Sequence, residues 1–353
     1  MVGTSAAPST APLRVGVVGC GAVAERYHLP ALLASDDVDV VACVDPAIER
    51  ARTLATRVGA REAFSDHREL VNRVDLAVVA VPNAFHAAVA VDLLQAGVNV
   101  LVEKPMARSV EECDQMLASA AGSGAVLAVG HDFRHYPVAR FARGLLAGGL
   151  LGPVLDVEVQ QSAGAGWPAV STAILSAAAG GGVLIDFGVH VLDLLRWWVG
   201  DMSVVSYRDD ARGGVEAECA AELVLASGAP VRLELSRTRT LRDTAVITCE
   251  RGSVELGVFD PAVVRITVPG AGPALLGEVA DQAFDRAPGR EVFARQLADV
   301  VAAVRGEGEP LVGGRDGRAV VALVEACYAH REPLRLPWDY PEAYASSSAA
   351  GSL

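Results

Sequence analysis

Leu13-Arg14-Val15-Gly16-Val17-Val18-Gly19-Cys20-Gly21-Ala22-Val23-Ala24 places a short apolar run directly before a glycine-rich segment. The run predicts a buried strand over Leu13–Val18, and the helical pattern after it continues to Leu33. The segment between them has the Gly-x-Gly-x-x-Ala form of the dinucleotide fingerprint, in which Gly19 permits a tight turn and Gly21 lets the backbone approach a pyrophosphate. The stretch therefore predicts a Rossmann dinucleotide site at the N-terminus of a helix. Its first expected contacts are Gly19, Gly21, Ala22 and Val23.

Strand-like runs and helical patterns alternate through the following hundred residues. Such alternation predicts βαβ units around a parallel sheet. Ser109 is a predicted helix N-cap, since Glu111 and Glu112 occupy the first turn after it. We assign residues 13–132 to this Rossmann NAD-binding domain. Its further predicted strands are Val38–Val44, Leu76–Val81, Val98–Val102 and Ala125–Val129, and its further predicted helices are Ile48–Val58, Ala87–Ala96 and Ser109–Ala121.

After Gly130 the apolar pattern changes to alternation with a period of two. This predicts half-buried strands in a large, mostly antiparallel open sheet, and therefore a C-terminal α+β domain over residues 133–337. Residues 1–12 and 338–353 are small and polar and are expected to be disordered tails. The predicted strands are Val154–Gln160, Glu218–Leu225, Val231–Leu235, Ala245–Cys249 and Ser253–Leu256, and the predicted helices are Asp186–Val199, Glu291–Val304 and Arg315–Ala329.

Asp45 ends the second predicted strand. A carboxylate at this place accepts hydrogen bonds from the adenosine ribose and repels a 2′-phosphate, which favours NAD over NADP. The alternative is that Asp45 only starts a turn with Pro46. Val81, Pro82 and Asn83 begin the loop after the third long strand, with His86 shortly beyond them. This loop is expected to face the cofactor, and the alternative is an Asn-led turn with a surface histidine.

Val102-Glu103-Lys104-Pro105 follows another apolar run. Open α/β sheets bind their ligands beyond the carboxyl ends of the strands, so Lys104 is expected in the ligand crevice. Glu103 and Lys104 are predicted to contribute to the cofactor side of that crevice.

Asp186, His190, Asp193 and Trp197 recur at the spacing of one helix face. Exchange of a hydride with a carbinol carbon also needs a proton taken from or given to the oxygen, and histidine suits that task near neutral pH. Lys104 would stabilise negative charge on the oxygen. Asp186 could orient either the imidazole or a substrate hydroxyl. The alternative is a buried Asp–His pair that ties helix to sheet.

Arg237-Thr238-Arg239 follows the predicted strand Val231–Leu235. It could bind the phosphate of a nucleotide-linked sugar. The favoured interpretation is an exposed strand end on an acidic protein.

Composition limits the remaining possibilities. The net charge of −13 over 353 residues argues against a nucleic acid or an anionic membrane as partner. The six cysteines form no CxxC pair, so no metal site and no disulfide framework is predicted, and a reducing cytoplasm is the expected location. Residues 1–12 lack the pattern of a signal peptide, and the longest uncharged stretch, Val159–Ile185, is too polar to span a membrane.

Together these motifs resemble the Gfo/Idh/MocA family, which includes glucose-fructose oxidoreductase and inositol dehydrogenase. The likeness runs in order from Leu13 to Pro337, and its most specific elements are Glu-Lys-Pro at 103–105 and Asp-x-Gly-x-His at 186–190. Val81 departs from the family, which commonly has threonine there, and this touches cofactor contacts rather than catalysis. Other matching elements are Asp45-Pro46, Pro82-Asn83-x-x-His86 and Asp316-Gly317-Arg318.

The resemblance implies a catalytic trio of Lys104, Asp186 and His190. It also implies NAD as cofactor and a sugar, cyclitol or polyol substrate that is oxidised or reduced at a ring hydroxyl. An open C-terminal sheet in this family often mediates oligomers, so a homodimer or homotetramer is expected. The segment after Gly130 and the loop around Trp167 vary in the family and are expected to line the substrate pocket. The predicted substrate contacts are His131, Arg134, Trp167 and Asp186.

Three functions are compatible with these features. The first is an NAD(H)-dependent dehydrogenase or ketoreductase. The second is a glycosidase-type lyase that oxidises its substrate transiently and recycles bound NAD. The third is a non-catalytic NAD-sensing regulator, against which the retention of the trio weighs.

Overall fold

The structure is a computed structural model that describes residues 11–163, 181–211, 214–257, 263–270, 275–278 and 290–334. Trp167, a predicted substrate contact, lies outside the described residues. So do residues 1–10 and 338–353 of the two predicted tails.

A first sheet is built from the N-terminal part of the chain. Its strands are β1 (Leu13–Val18), β2 (Val38–Val44), β3 (Glu62–Phe64), β4 (Leu76–Val79), β5 (Asn99–Glu103) and β6 (Leu127–Gly130). The strands lie in the order β3-β2-β1-β4-β5-β6, and all neighbouring pairs are parallel. This order confirms the predicted Rossmann sheet.

Helices cover both faces of this sheet, which is why its strands are almost continuously apolar. They are α1 (Leu29–Leu33, preceded by a π-helical turn at Ala24–His28), α2 (Ile48–Val58), α3 (His86–Gln95) and α4 (Val110–Ser123). One core packs α1 and α2 against β1 and β2, and a second core packs α3 and α4 on the opposite face. Ser109 accepts a hydrogen bond from the Glu112 backbone N–H at 3.1 Å, which confirms the predicted N-cap.

The loops after β1 and β4 diverge, because β2 lies on one side of β1 and β4 on the other. This divergence opens the crevice in which sheets of this order bind ligands. Gly19 follows β1 with φ of +93°, and a Cβ atom there would lie 2.5 Å from the Ala80 carbonyl oxygen. The turn therefore requires glycine for both its conformation and its space.

A second sheet contains β7 (Val154–Ser162), β8 (Met202–Asp209), β9 (Glu218–Leu225), β10 (Pro230–Ser236), β11 (Thr244–Cys249), β12 (Gly252–Gly257), β13 (Val263–Thr267), β14 (Leu275–Glu278) and β15 (Arg331–Pro333). The order is β14-β13-β12-β11-β7-β10-β9-β8-β15. The pairs β7–β10 and β8–β15 are parallel, and the others between described strands are antiparallel. The predicted fold class, with its mostly antiparallel open sheet, is confirmed.

Four more helices follow the first sheet in the chain. They are α5 (Pro137–Ala147), α6 (Val189–Val199, preceded by a π-helical turn at Leu184–Gly188), α7 (Arg290–Val304) and α8 (Gly314–Ala329). The sequence patterns predicted α6, α7 and α8 within a few residues but missed α5. They also missed the strands β3, β8, β13, β14 and β15. Of these, β3 and β15 have only three residues each and offer little periodicity.

The C-terminal helices return to the first sheet. Phe293, Leu297 and Val300 of α7 pack in the core beside α1 and α2, and the Val129 backbone N–H of β6 donates to the Val312 carbonyl at 3.0 Å. The division of the chain at residues 132 and 133 therefore stays a proposal, since the later segment completes the packing of the earlier one. Within the described parts of the chain, every helix is too short or too polar to cross a bilayer.

Candidate active site

Lys104 lies just beyond the carboxyl end of β5, next to the crevice of the first sheet. Its Nζ donates to the Asp186 backbone oxygen at 2.6 Å and lies 3.2 Å from Asp186 Oδ1. The Lys104–Pro105 peptide bond is cis. With 20% of its side chain exposed, the ammonium is held between the first sheet and the turn before α6 but remains accessible to a ligand. It is also the only lysine in the sequence.

Asp186 lies in the π-helical turn and is flanked by two cations. Its Oδ2 accepts a hydrogen bond from Arg237 at 2.5 Å, while its Oδ1 faces Lys104. Burial would raise the pKa of this carboxyl, but the Lys104 charge and the Arg237 hydrogen bond outweigh burial and lower the pKa. The described hydrogen bonds of the carboxylate thus orient Lys104, where the sequence had predicted the imidazole or a substrate hydroxyl as its partner.

Arg237 corrects another expectation. The favoured interpretation was an exposed strand end, but only 12% of the Arg237 side chain is exposed. The backbone folds back after β10, where the Arg237 N–H donates to the Ala217 carbonyl at 2.8 Å. Arg239 differs, because its guanidinium pairs with the carboxylates of Glu218 and Glu234. Of the two arginines, Arg237 is the one placed at the site.

His190, in the first turn of α6, is buried beside the crevice. Its ring stacks on Phe133 with centroids 4.1 Å apart and planes at 16°, and the His131 ring meets it edge-on at 6.0 Å. Nδ1 of His190 lies 3.6 Å from Oδ1 of Asp132. Burial, the Lys104 charge and His131 together hold the pKa of His190 well below its ordinary value. The ring is therefore neutral at neutral pH and can exchange a proton.

Asp132 was not among the predicted site residues. It follows β6 at the same sheet edge as Lys104, and it is buried. Burial and the charge of Glu103 raise the pKa of Asp132 to about 8, against the opposing effect of Lys104. An acidic residue directly after an apolar strand of a parallel sheet is a signal that could have identified it.

His131, predicted to contact substrate, is 1% exposed. Neither ring nitrogen has a hydrogen-bond partner among the described residues. Burial lowers its pKa, so the ring is neutral. A buried imidazole with two unused nitrogens at this edge is able to bind a hydroxyl.

Arg134 is the other predicted substrate contact of this segment. Its guanidinium makes two hydrogen bonds to Asp193, at 2.8 and 2.6 Å, and others to Asp316 and the Leu311 carbonyl. It also stacks over the Trp197 ring at 5.4 Å. Only 3% of the Arg134 side chain is exposed, and its described contacts support α6, so a substrate contact of Arg134 stays a prediction.

The cofactor side of the crevice has the space and the acceptors that a dinucleotide needs. Open space surrounds Gly21 where a side chain would lie, as a closely approaching pyrophosphate requires. Asp45 Oδ2 accepts from the Cys20 backbone N–H at 3.1 Å, and its Oδ1 accepts from the Ala47 N–H at 2.9 Å. The carboxylate therefore makes the predicted turn and also faces the glycine-rich loop. These residues fit the adenosine half of a dinucleotide.

His86 is buried rather than on the surface, so the alternative of a surface histidine is wrong. One ring nitrogen faces the Pro105 carbonyl at 2.8 Å and the other faces the Val81 carbonyl at 2.9 Å. Both nitrogens face backbone carbonyls of the protein, and a direct cofactor contact of His86 stays a prediction. His86 joins the loop after β4, with Val81, Pro82 and Asn83, to the turn that follows Lys104.

Glu103 is also buried and holds the backbone of Lys104 in place. Its Oε1 lies 2.7 Å from Nε2 of His28, and its Oε2 accepts from the Lys104 backbone N–H at 3.1 Å. Burial would raise the pKa of Glu103, but the hydrogen bond and charge of His28 outweigh burial and lower it. His28 lies in the π-helical turn before α1 and was missed, because its partner is 75 residues away.

Two family models match the chain. One, described as "Oxidoreductase family, NAD-binding Rossmann fold", matches residues 13–131, and a GFO/IDH/MocA C-terminal domain model matches residues 139–255. Together they cover more than half of the sequence. The two matched segments carry Lys104 and His190, respectively.

Several known proteins are similar to this chain. D-glucoside 3-dehydrogenase of Escherichia coli K12 is 32% identical over 57% of the chain, which spans only 58% of that relative. A protein assigned as the oxidoreductase subunit of UDP-kanosamine synthase from Amycolatopsis mediterranei is 31% identical, with 90% of this chain and 95% of the relative aligned. A crystal structure of a 3-ketoreductase from Actinomadura kijaniata, in complex with NADP and TDP-benzene, is similar with a TM-score of 0.79 and 25% identity. The alignment covers 92% of this chain and 100% of the 3-ketoreductase chain.

Proposed function

The chain belongs to the Gfo/Idh/MocA oxidoreductase family, with its NAD-binding Rossmann domain, and we propose that it interconverts a ring hydroxyl and a ketone of a sugar or sugar derivative with NAD(H). The observation that carries this proposal is the meeting of Lys104, Asp186 and His190 at one edge of the first sheet. A cation there can stabilise negative charge on the oxygen of a carbinol or carbonyl group, and a neutral imidazole can exchange a proton with that oxygen.

We propose position 3 of a glucopyranose ring as the reacting centre. The names of two similar proteins, a D-glucoside 3-dehydrogenase and a 3-ketoreductase, support this position. His131 offers, for a neighbouring hydroxyl, two ring nitrogens that have no partner among the described residues.

Each member of the trio has a separate task in this proposal. Lys104 donates a hydrogen bond to the reacting oxygen and stabilises the negative charge that develops on it. His190 takes the proton from that oxygen in oxidation and returns it in reduction. Asp186 holds the ammonium in place through Oδ1, and Arg237 holds Asp186 through Oδ2. A bound nicotinamide supplies or accepts the hydride.

Purified protein should therefore change the absorbance of the reduced nicotinamide with at least one sugar. The panel comprises methyl glucosides, levoglucosan, 1,5-anhydro-D-fructose and nucleotide-linked 3-keto sugars, each with NAD(H) and NADP(H). Product analysis by NMR identifies the ring position. Release of an aglycone without net NADH would favour the lyase function instead. Cofactor binding without turnover of any sugar would favour the regulator.

Asp45 should govern the choice of cofactor. The exchange Asp45→Asn keeps an oxygen acceptor for the turn but removes the charge that would oppose a 2′-phosphate. Like-charge juxtaposition at an interface costs several kcal/mol, so we expect the ratio of NAD to NADP affinity to fall roughly 10- to 100-fold. Energy transfer from tryptophan to NADH and to NADPH measures both affinities. An unchanged ratio would mean that Asp45 serves the turn alone.

The oligomer is also a proposal. The outer face of the second sheet carries cross-strand ion pairs such as Arg232–Asp156 and Arg265–Glu255. We propose that two or four copies associate through this face, and sedimentation velocity measures the mass directly.

A further inference from the structure

We propose that Asp132 stores the proton that His190 delivers to the substrate oxygen, so that the two side chains form a relay in which the imidazole never becomes a cation. The inference rests on the proposed function and adds a residue to it. Asp132 acts through His190 and is therefore a positioning residue.

The geometry of the pair carries this inference. Oδ1 of Asp132 and Nδ1 of His190 are 3.6 Å apart, and both side chains are about nine-tenths buried. Nδ1 has no hydrogen-bond partner within the described parts of the chain. A separation of 3.6 Å exceeds a hydrogen bond, but catalytic hydrogen bonds are often long without ligand and shorten in the complex. Phe133 stacks on the imidazole and keeps its edge towards Asp132.

Asp186 is not available for this task. Its two carboxylate oxygens are engaged by Lys104 and Arg237, whereas Asp132 is the carboxylate that pairs with His190 among the described residues. The spacing of Asp186 and His190 would make them partners on a regular α-helix. In the π-helical turn, Asp186 instead contacts Lys104 and Arg237, and His190 lies beside Asp132.

The electrostatic surroundings favour a neutral pair. Burial raises the pKa of Asp132 to about 8 and, with Lys104 and His131, lowers that of His190 far below its usual value. At neutral pH the carboxyl is therefore protonated and the imidazole is uncharged. The charged and titratable groups that act on one or both members are Glu103, Lys104, His131 and Asp193. Asp132 in turn raises the pKa of the neighbouring Tyr136.

The protons balance in both directions. Before reduction, Asp132 carries one proton and donates it in a hydrogen bond to Nδ1, while Nε2 of His190 carries another. As the hydride arrives at the carbonyl carbon, the Nε2–H bond breaks and a new O–H bond forms on the substrate. The Asp132 proton moves to Nδ1 in the same event. After reduction, Asp132 is a carboxylate and His190 is a neutral imidazole with its proton on Nδ1, so the pair has lost one proton in total. Oxidation reverses each step.

The first test reads the tautomer of His190 without any sugar or cofactor. Protein labelled with [15N]histidine is titrated from neutral to alkaline pH, and the His190 signals are assigned by their absence in His190→Gln. We expect the ring proton to move from Nε2 to Nδ1 with a midpoint of about pH 8. Asp132→Asn should show no such change, and Asp114→Asn, which removes an exposed carboxylate on α4, should match the wild type.

The wild-type titration decides the proposal even if Asp132→Asn fails to fold. A His190 imidazolium in this pH range, or one tautomer throughout, would overturn it. Because no substrate is present, this outcome is separate from failure of the proposed function, which the sugar panel decides.

Kinetics provides the second readout, with the sugar that the panel selects. As Asp132 loses its proton through about pH 8, reduction should slow and oxidation should accelerate. In Asp132→Asn both rates should fall at least roughly tenfold, since proton transfer by positioned groups contributes large factors, and both should lose this pH dependence. Unaltered profiles in Asp132→Asn would count against the relay.

Discussion

The exchange Lys104→Met should lower kcat for the sugar by roughly 10²- to 10³-fold, the usual loss when one donor to a developing oxyanion is removed. Methionine keeps most of the volume and flexibility of the lysine chain. The negative charge of Asp186 would remain, neutralised by Arg237 alone. The site would therefore lose the Lys104 ammonium while Asp186 stays paired with Arg237.

Cofactor affinity separates this effect from a damaged fold. Glu103 contacts His28 and the backbone N–H of residue 104, and these contacts do not involve the lysine side chain. The crevice should therefore persist in the variant. We expect NADH to bind within a few-fold of the wild type, as energy transfer from tryptophan would measure. The matched control is Arg108→Met, which removes an exposed cation four residues later and should leave turnover unchanged.

The single lysine allows a second approach to the same prediction. An amine-specific reagent can react only with Lys104 and the N-terminal amine, because the other basic residues are arginines and histidines. Acetylation, which removes the positive charge, should abolish turnover as one side chain is modified, and bound NADH with substrate should protect it. Full turnover in Lys104→Met, or in quantitatively acetylated protein, would remove Lys104 from the mechanism.

The sequence predicted those parts of the site that depend on local order. Strand β5 is followed at once by a lysine, and parallel strands present their carboxyl ends at one edge, so the position of Lys104 follows from the sequence alone. The helical spacing of His190 and Asp193 likewise placed both on α6, whereas Asp186 lies in the π-helical turn before that helix. Local sequence patterns are sufficient to predict the position of a site residue when that position depends only on the end of a strand or on the period of a helix.

Two contacts at the site could not be predicted in this way. Arg237 reaches Asp186 across 51 residues, and His28 reaches Glu103 across 75. Such pairs depend on how two sheets meet, which periodicity does not encode. Asp132 lies in the segment after Gly130 that was expected to line the substrate pocket, but it was not singled out there as a contact.

The exchange Asp193→Ala should destabilise the protein by roughly 3–5 kcal/mol, as removal of one partner leaves a buried charge uncompensated. Asp193 is fully buried and accepts two hydrogen bonds from Arg134. The remaining partners of Arg134, Asp316 and the Leu311 carbonyl, cannot replace that bidentate contact. Urea denaturation followed by tryptophan fluorescence measures the loss.

Two further variants distinguish the role of this ion pair. Glu62→Ala breaks the exposed pair with Arg73 and should cost only about 0–1 kcal/mol, as surface pairs do. The double exchange Arg134→Met with Asp193→Leu should recover much of the stability lost in Asp193→Ala, because apolar replacement of both buried partners is often neutral or stabilising. If Arg134 instead contacted the sugar, Asp193→Ala would raise KM with little loss of stability, and the double variant would remain impaired in KM. Recovered stability with nearly unchanged KM would establish that this pair holds α6, and with it His190, against the end of β6.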